Sequence, residues 1–92
     1  MKPVRATVRV RGLVQGVNFR YFTARTAEQH GVSGWVRNLS NGDVEAVFEG
    51  REGAVRTVLQ WCQHGPSAAR VDELLIDWEE YRGEFDGFEV RR

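Results

Sequence analysis

The chain has 92 residues, which suffices for one compact domain around a single hydrophobic core. Its 13 basic and 13 acidic residues give a formal net charge of zero, which disfavours a general nucleic-acid binder with its usual basic excess. No apolar run approaches the roughly 20 residues of a membrane span, and the first residues lack a signal peptide's hydrophobic stretch. We therefore expect a cytoplasmic monomer that binds neither nucleic acid nor membrane.

The first elements are predicted to be a strand and a helix on either side of a glycine-containing loop. Between Val4 and Val10 apolar residues alternate with polar ones, and this period of two predicts a half-buried strand that Gly12 ends. Helical spacing begins after Asn18, which we predict as the N-cap, and Gly31 predicts the end of the helix.

The rest of the chain is predicted to add a hairpin, a second helix and two more strands. Residues 32–50 form the hairpin, because Asn41-Gly42 is a strong turn signal between two strand-like runs. Apolar residues at helical spacing predict a helix over about 53–64. Residues 71–81 are extended, and residues 88–90 form a short last strand.

This order of elements predicts the fold class. It is β-α-β-β-α-β with a small fifth strand, and right-handed crossovers place both helices on one face of an antiparallel sheet. We therefore predict an α+β fold of the ferredoxin-like split βαβ type, with one domain over residues 1–92 and with the other sheet face in water. Because this fold hosts many functions, it does not by itself identify one.

The loop from Gly12 to Arg20 is the strongest functional signal in the chain. It has glycines at positions 12 and 16, no acidic residue, and Arg20 at the entrance to the predicted helix. Backbone N–H groups beside a helix N-terminus attract anions, and a guanidinium suits a phosphoryl group. The alternative is an ordinary strand-to-helix turn with Arg20 in solvent. No Gly-Lys-Ser/Thr follows, so nucleoside triphosphate binding is not implied.

A second candidate residue is Asn38, at the end of the predicted second strand. An asparagine in that position usually serves a turn or a cap. In this topology, however, the first and third strands are neighbours, so the loop after the second strand can lie near the entrance of the first helix. An uncharged amide there could orient a nucleophilic water molecule without titrating.

These two segments resemble the signatures of the acylphosphatase family. The stretch from Gly12 to Arg20 is similar to the pattern G-x-V-Q-G-V-x-F-R, and a second stretch supplies Gly34, Trp35, Asn38, Gly42, Val44 and Gly50. The similarity extends over essentially the whole chain, including residues 66–72 and 87–91. It implies an enzyme that hydrolyses the carboxyl–phosphate bond of acyl phosphates by direct in-line attack of water, without metal or cofactor.

The resemblance also implies a role for each site residue. The phosphate would be bound by the Arg20 side chain and by the backbone N–H groups of the loop, and the amide of Asn38 would position the attacking water. The loop residues concerned are Gln15, Gly16, Val17, Asn18, Phe19 and Arg20. The leaving group is a carboxylate whose conjugate acid has a pKa of about 4, so the reaction needs no general acid.

Three other functions stay open at this point. Ferredoxin-like sheets can bind RNA on exposed aromatic residues, although residues 43–50 lack the basic and aromatic pattern of such domains. The chain could also resemble the amino-terminal domain of long carbamoyl-transfer proteins in hydrogenase maturation, but its start at Met1 favours a free-standing enzyme. A phosphate sensor without turnover is the third.

His30 and His64 lie singly at the predicted helix ends, which disfavours a zinc site. Cys62 lies on the apolar face of the predicted second helix, so it is predicted to be a buried packing thiol.

Overall fold

The computed structural model describes residues 2–92, and it contains two helices and one five-stranded sheet. In chain order the elements are β1 (Pro3–Leu13), α1 (Phe19–Gln29), β2 (Ser33–Asn38), β3 (Val44–Arg51), α2 (Glu52–Cys62), β4 (Arg70–Glu79) and β5 (Phe88–Arg91). The strand order is β4-β1-β3-β2-β5, and the predicted ferredoxin-like class is confirmed. Neither helix in the described part of the chain is long and apolar enough to cross a bilayer.

The sheet is mixed, so the predicted purely antiparallel sheet needs one correction. β4 with β1, β1 with β3 and β3 with β2 are antiparallel pairs, whereas β5 lies parallel to β2. β4 and β5 form opposite edges of the sheet, and residues 80–87 connect them across its width. Because this connection crosses at the end where β1 and β2 begin, β5 runs in the same direction as those two strands.

The prediction that Gly12 ends the first strand is wrong. β1 continues to Leu13, and its pairing with β4 shifts register between Arg11 and Gly12. The φ angle of Gly12 is 134°, and a Cβ atom at this position would clash with the carbonyl oxygen of Arg70. Glycine therefore permits a close approach of β1 to β4 at a bulge, which carries the strand one residue further.

The hydrophobic core lies between the two helices and one face of the sheet. Alternate residues of β1 and β3 face the helices, and α2 contributes residues at positions i, i+3, i+4 and i+7. The central members are Ala6, Val8, Val10, Val36, Ala46, Phe48, Val55, Val58 and Leu59. Cys62 completes the stripe of α2, as predicted, and its burial raises the pKa of the thiol to about 12. The thiol is therefore protonated at neutral pH and is a packing group.

The other sheet face is partly covered, contrary to the expectation that it lies in water. Near the start of β1, Arg5 is only 7% exposed and Glu49 is fully buried. Arg5 donates hydrogen bonds to Glu49 (3.1 Å), Glu79 (3.2 Å) and Glu84 (2.8 Å). The backbone N–H groups of Arg82 and Glu84 also donate to Glu49, at 2.8 Å and 3.3 Å. We call this group the Arg5–Glu49 cluster, and it fixes the connection between β4 and β5 on the sheet.

Candidate active site

The candidate site lies where β1, β2 and β5 end and α1 begins. These three strands run in the same direction, so their carboxyl termini lie at the same end of the sheet. A cleft of about 440 Å³ opens there, and it is lined by Val14, Gln15, Gly16, Asn18, Phe19, Arg20, Tyr21, Asn38 and Val90. The fold thus brings Arg20 and Asn38 together in one cleft, although 17 residues separate them along the chain.

The backbone of the loop presents unpaired donors to this cleft. Gly16 and Asn18 have left-handed backbone conformations, with φ angles of 75° and 62°, so the chain turns sharply on both sides of Val17. None of the N–H groups of residues 15–20 donates a hydrogen bond to an acceptor in residues 2–92. Val17 does not line the cleft, because its half-buried side chain packs against the core. The loop therefore offers main-chain donors around an open space.

The prediction that Asn18 is the N-cap of α1 is confirmed. Its backbone is left-handed, however, and its side chain makes no capping hydrogen bond. The first turn of α1 also carries no acidic residue. Since the first N–H groups of a helix have no intrahelical acceptors, this helix end keeps its partial positive charge for a ligand in the cleft.

Arg20 is held by the last strand. Its Nη1 atom donates a hydrogen bond of 3.0 Å to the backbone oxygen of Arg91, which lies at the end of β5. Arg20 forms no ion pair with a carboxylate of the described residues. One donor of the guanidinium therefore orients the side chain, and its charge has no carboxylate partner within residues 2–92.

Gln15 has a structural role that its position in the sequence does not reveal. Its Nε2 atom donates to the backbone oxygens of Leu39 and Asp43, at 2.7 Å and 2.8 Å. Both amide hydrogens are therefore directed at the turn between β2 and β3, directly after Asn38. The side chain of Gln15 fixes the loop to that turn, while its backbone N–H remains available to the cleft.

Asn38 is the last residue of β2 and is paired with Val44 of β3. Its Oδ1 atom is buried and accepts no hydrogen bond from the described residues. Buried polar atoms almost always have a partner, so an acceptor of this kind is suited to a donor bound in the cleft. A neutral amide can hold such a donor over a wide pH range.

The described residues contain no cluster of three or more histidine, cysteine or acidic side chains that could hold a metal ion. The polar groups carried by the lining residues are instead backbone N–H groups, the Arg20 guanidinium, the Tyr21 hydroxyl and the side-chain amides of Gln15, Asn18 and Asn38. Such groups recognise an anion with several oxygen atoms. The chemistry available here is therefore binding and orientation of an anionic group next to a neutral hydrogen-bond acceptor.

Comparison with known proteins identifies the family. The family model Acylphosphatase matches residues 6–90. An acylphosphatase of Geobacter sulfurreducens is 57% identical over 88 residues, which cover 96% of this chain and 97% of the relative. The crystal structure of acylphosphatase from Bacillus subtilis superposes with a TM-score of 0.93 at 28% identity, covering 97% of this chain and 99% of the other. An acylphosphatase structure from Coxiella burnetii gives a TM-score of 0.87 at 38% identity, covering 97% and 93%.

The anion-binding groups of the cleft, the sequence match and the fold match lead to the same conclusion. This chain belongs to the acylphosphatase family.

Proposed function

We propose that this chain hydrolyses the carboxyl–phosphate bond of acyl phosphates by direct in-line attack of water on phosphorus. One observation carries the proposal. The residues that line a single cleft carry three kinds of group: the unpaired backbone N–H groups of Gln15, Gly16, Asn18, Phe19 and Arg20, the guanidinium of Arg20, and the buried, unpaired Oδ1 atom of Asn38. The first two are suited to a phosphoryl group, and the third is suited to a water molecule beside it.

The reaction needs little covalent chemistry from the protein. A bond forms between the water oxygen and phosphorus while the bond from phosphorus to the acyl oxygen breaks. The carboxylate leaves with the electron pair, and the water proton passes to the phosphate product or to solvent. Because a carboxylate departs without protonation at neutral pH, no acid is needed, and the charged side chain that lines the cleft within the described residues is Arg20.

Arg20 and the loop N–H groups would stabilise the negative charge on the phosphoryl oxygens in the transition state. Phosphoryl transfer passes through a loose transition state with charge on the equatorial oxygens, and enzymes accelerate it chiefly by positioning and charge stabilisation. The donors are already oriented, since the Arg91 backbone oxygen holds Arg20 and the Gln15 side chain holds the loop. Little reorganisation would therefore be required when the substrate binds.

Asn38 would orient the attacking water molecule. Its Oδ1 atom can accept a hydrogen bond from the water, whose oxygen lone pair then faces phosphorus. The backbone of Asn38 is fixed by its pairing with β3, and the turn that follows is held by Gln15. This arrangement keeps the water in line with the departing carboxylate, and orientation of this kind lowers a barrier substantially.

An isotope experiment tests the site of attack. Benzoyl phosphate is hydrolysed by the protein in water enriched in ¹⁸O, and both products are analysed by mass spectrometry. Attack on phosphorus places the label in inorganic phosphate, and benzoate stays unlabelled. Label in benzoate would show attack on the carbonyl carbon and would overturn the proposed mechanism.

An Asn38→Ala variant tests the role of the amide. We expect kcat to fall by about 10²-fold, as for loss of one preorganised polar group, while inhibition by inorganic phosphate changes little. If affinity for phosphate falls as far as kcat, Asn38 binds the anion and does not position water. Asn41→Ala is a matched control, because Asn41 lies in the following turn and does not line the cleft.

The exposed arginines of the sheet support our proposal that nucleic acid is not a partner. Arg11 pairs with Glu73, Arg37 with Glu45 and Arg91 with Glu89. Their charges are therefore largely compensated on the protein surface, and phosphate backbones would have to displace carboxylates. Filter binding of single-stranded RNA at low salt tests this proposal, and salt-sensitive retention would contradict it.

We further propose that the protein is monomeric. The edge strand β4 carries Asp72, Glu73, Asp77 and Glu79, and acidic residues on an edge oppose pairing with a second copy of the same strand. Light scattering after gel filtration at several protein concentrations tests this, and a concentration-dependent mass would contradict it.

A further inference from the structure

The outer part of the active-site cleft is apolar. Tyr21 and Val90 line the cleft together with Arg20, and they are 53% and 45% exposed. Tyr21 follows Arg20 directly on α1, and Val90 precedes Arg91, whose backbone oxygen holds the guanidinium. Two exposed hydrophobic side chains thus lie on the two elements that position the catalytic arginine. Their exposure leaves apolar surface for a ligand to cover.

The ring of Tyr21 is held in place by its neighbours. The ring of Phe22 packs against it edge-on, with centroids 5.1 Å apart and an interplanar angle of 76°. Arg25 lies one helical turn later, with its guanidinium 5.8 Å from the ring centroid and its Nη1 atom donating to the Tyr21 hydroxyl at 3.3 Å. A ring restrained in this way loses little conformational entropy when a ligand packs on it.

The direction of the reaction places the acyl group at this surface. In an in-line displacement the leaving group lies on the side of phosphorus opposite to the attacking water. Asn38 lines the same cleft, and its Oδ1 atom, the proposed water acceptor, is buried, whereas Tyr21 and Val90 are exposed. The acyl group therefore extends outward, past the two apolar side chains.

We infer that Tyr21 and Val90 form the binding surface for the acyl group and make this enzyme selective for apolar or aromatic acyl phosphates. This inference rests on the proposed function. Acyl groups that carry a second negative charge are disfavoured. Within the described residues, the charged side chain lining the cleft is Arg20, and it is directed to the phosphoryl group. The nearby Arg25 is already engaged with the ring and hydroxyl of Tyr21.

Steady-state kinetics with three substrates test this inference. The kcat and KM values for benzoyl, acetyl and succinyl phosphate are measured for the unmodified protein and for Tyr21→Ala, Tyr21→Phe and Tyr81→Ala. Tyr81 is a matched control, because it is 46% exposed but lines a separate groove near the start of α2. Circular dichroism melting shows that each variant is folded.

We expect benzoyl phosphate to have the lowest KM of the three. Tyr21→Ala raises that KM by about 10-fold, in the range known for loss of an apolar contact in a substrate pocket, and leaves the KM for acetyl phosphate within about twofold. The kcat for benzoyl phosphate stays nearly constant, because the contact is made equally in the ground state and the transition state. Tyr21→Phe keeps the ring and therefore retains most of the affinity for benzoyl phosphate, and Tyr81→Ala behaves like the unmodified protein.

Several outcomes would overturn the inference. An equal loss for benzoyl and acetyl phosphate in Tyr21→Ala would place Tyr21 in the phosphoryl site, and an unchanged ratio would show that the ring does not contact the acyl group. A preference for succinyl phosphate that disappears in Arg25→Leu would make the surface an anion site. Any of these leaves the proposed hydrolysis intact, whereas absence of turnover for all three substrates removes both proposals.

Discussion

The two ends of β1 carry the same kind of anion-binding group in opposite states. At its start, the guanidinium of Arg5 and the backbone N–H groups of Arg82 and Glu84 converge on the carboxylate of Glu49. Beyond its end, the guanidinium of Arg20 and the N–H groups of Gln15, Gly16, Asn18, Phe19 and Arg20 belong to residues that line a cleft without a protein carboxylate among the described residues. The chemistry of the donors is alike, and the difference lies in whether the protein supplies the anion.

This difference separates stability from function. The Arg5–Glu49 cluster is closed, so its donors stabilise the fold and fix the connection that leads to β5. The cleft is left open: apart from the bond from Arg20 to the Arg91 backbone oxygen, the guanidinium and the loop N–H groups have no acceptor among residues 2–92. An enzyme that acts by charge stabilisation needs such uncompensated, oriented donors in its free state. Disrupting the Arg5–Glu49 cluster should therefore lower the melting temperature, whereas removing the Arg20 side chain should lower kcat/KM.

The largest expected effect is on stability and follows from Glu49→Ala. Removing one partner of a buried ion pair typically costs about 3 to 5 kcal/mol, because the other partner stays desolvated. For a domain of this size we expect the melting temperature to fall by more than about 12 °C. Calorimetry or thermal circular dichroism measures the change.

Glu45→Ala is the matched control for Glu49→Ala. Glu45 lies on the same sheet face and pairs with Arg37, but its Arg37 partner is exposed at the surface. An exposed pair contributes about 0 to 1 kcal/mol, so the melting temperature should change by only a few degrees. Equal losses for the two variants would contradict the special role of the Arg5–Glu49 cluster.

The next effect is on activity and follows from Arg20→Ala. Loss of one preorganised donor in the cleft should lower kcat/KM for benzoyl phosphate by about 10² to 10³-fold. The melting temperature should change little, because the one side-chain hydrogen bond of Arg20 in the described structure is exposed. Arg56→Ala is the control, since Arg56 forms an exposed pair with Glu52 away from the cleft. A folded Arg20→Ala variant with full activity would exclude Arg20 from the mechanism.

The smallest expected effect is the pH dependence of stability. Burial alone would raise the pKa of Glu49, but the Arg82 N–H group, the Arg5 side chain and the Glu84 N–H group outweigh it and lower the pKa below 4.5. The unfolded chain therefore binds more protons than the folded protein in this range. The stabilisation is complete above the unfolded pKa and is lost as the pH falls through the folded pKa.

Urea unfolding at several pH values below 5 measures this dependence. The free energy of unfolding should fall toward acid pH in the unmodified protein and fall less steeply in Glu49→Gln, whose side chain does not titrate. Asp72→Asn serves as the control. The pKa of Asp72 is also lowered, by a hydrogen bond from Arg70, but both groups are exposed and solvent screens their interaction. An identical slope for Glu49→Gln and the unmodified protein would contradict the assignment.

Local patterns in the sequence account for most of the fold. The alternation between Val4 and Val10, the Asn41-Gly42 turn and the helical stripe ending at Cys62 each reflect a backbone periodicity, and the elements they predict are present. Local rules fail at Gly12, where β1 continues to Leu13, and at Asn18 they predict the N-cap position but not its conformation. At Gly12 a close contact with Arg70 decides the backbone geometry, and at Asn18 the backbone is left-handed and the side chain makes no capping hydrogen bond.

The sequence by itself determined the class of fold, the family signature and the identity of the residues that we assign to the site, because these depend on composition, periodicity and short-range order. Only the tertiary structure decided what surrounds those residues. The acceptors of Gln15, the carbonyl that holds Arg20 and the carboxylate buried beside Arg5 come from segments 24 to 71 residues away. The pairing of the strands brings these distant segments together, and a local sequence pattern contains no information on that pairing.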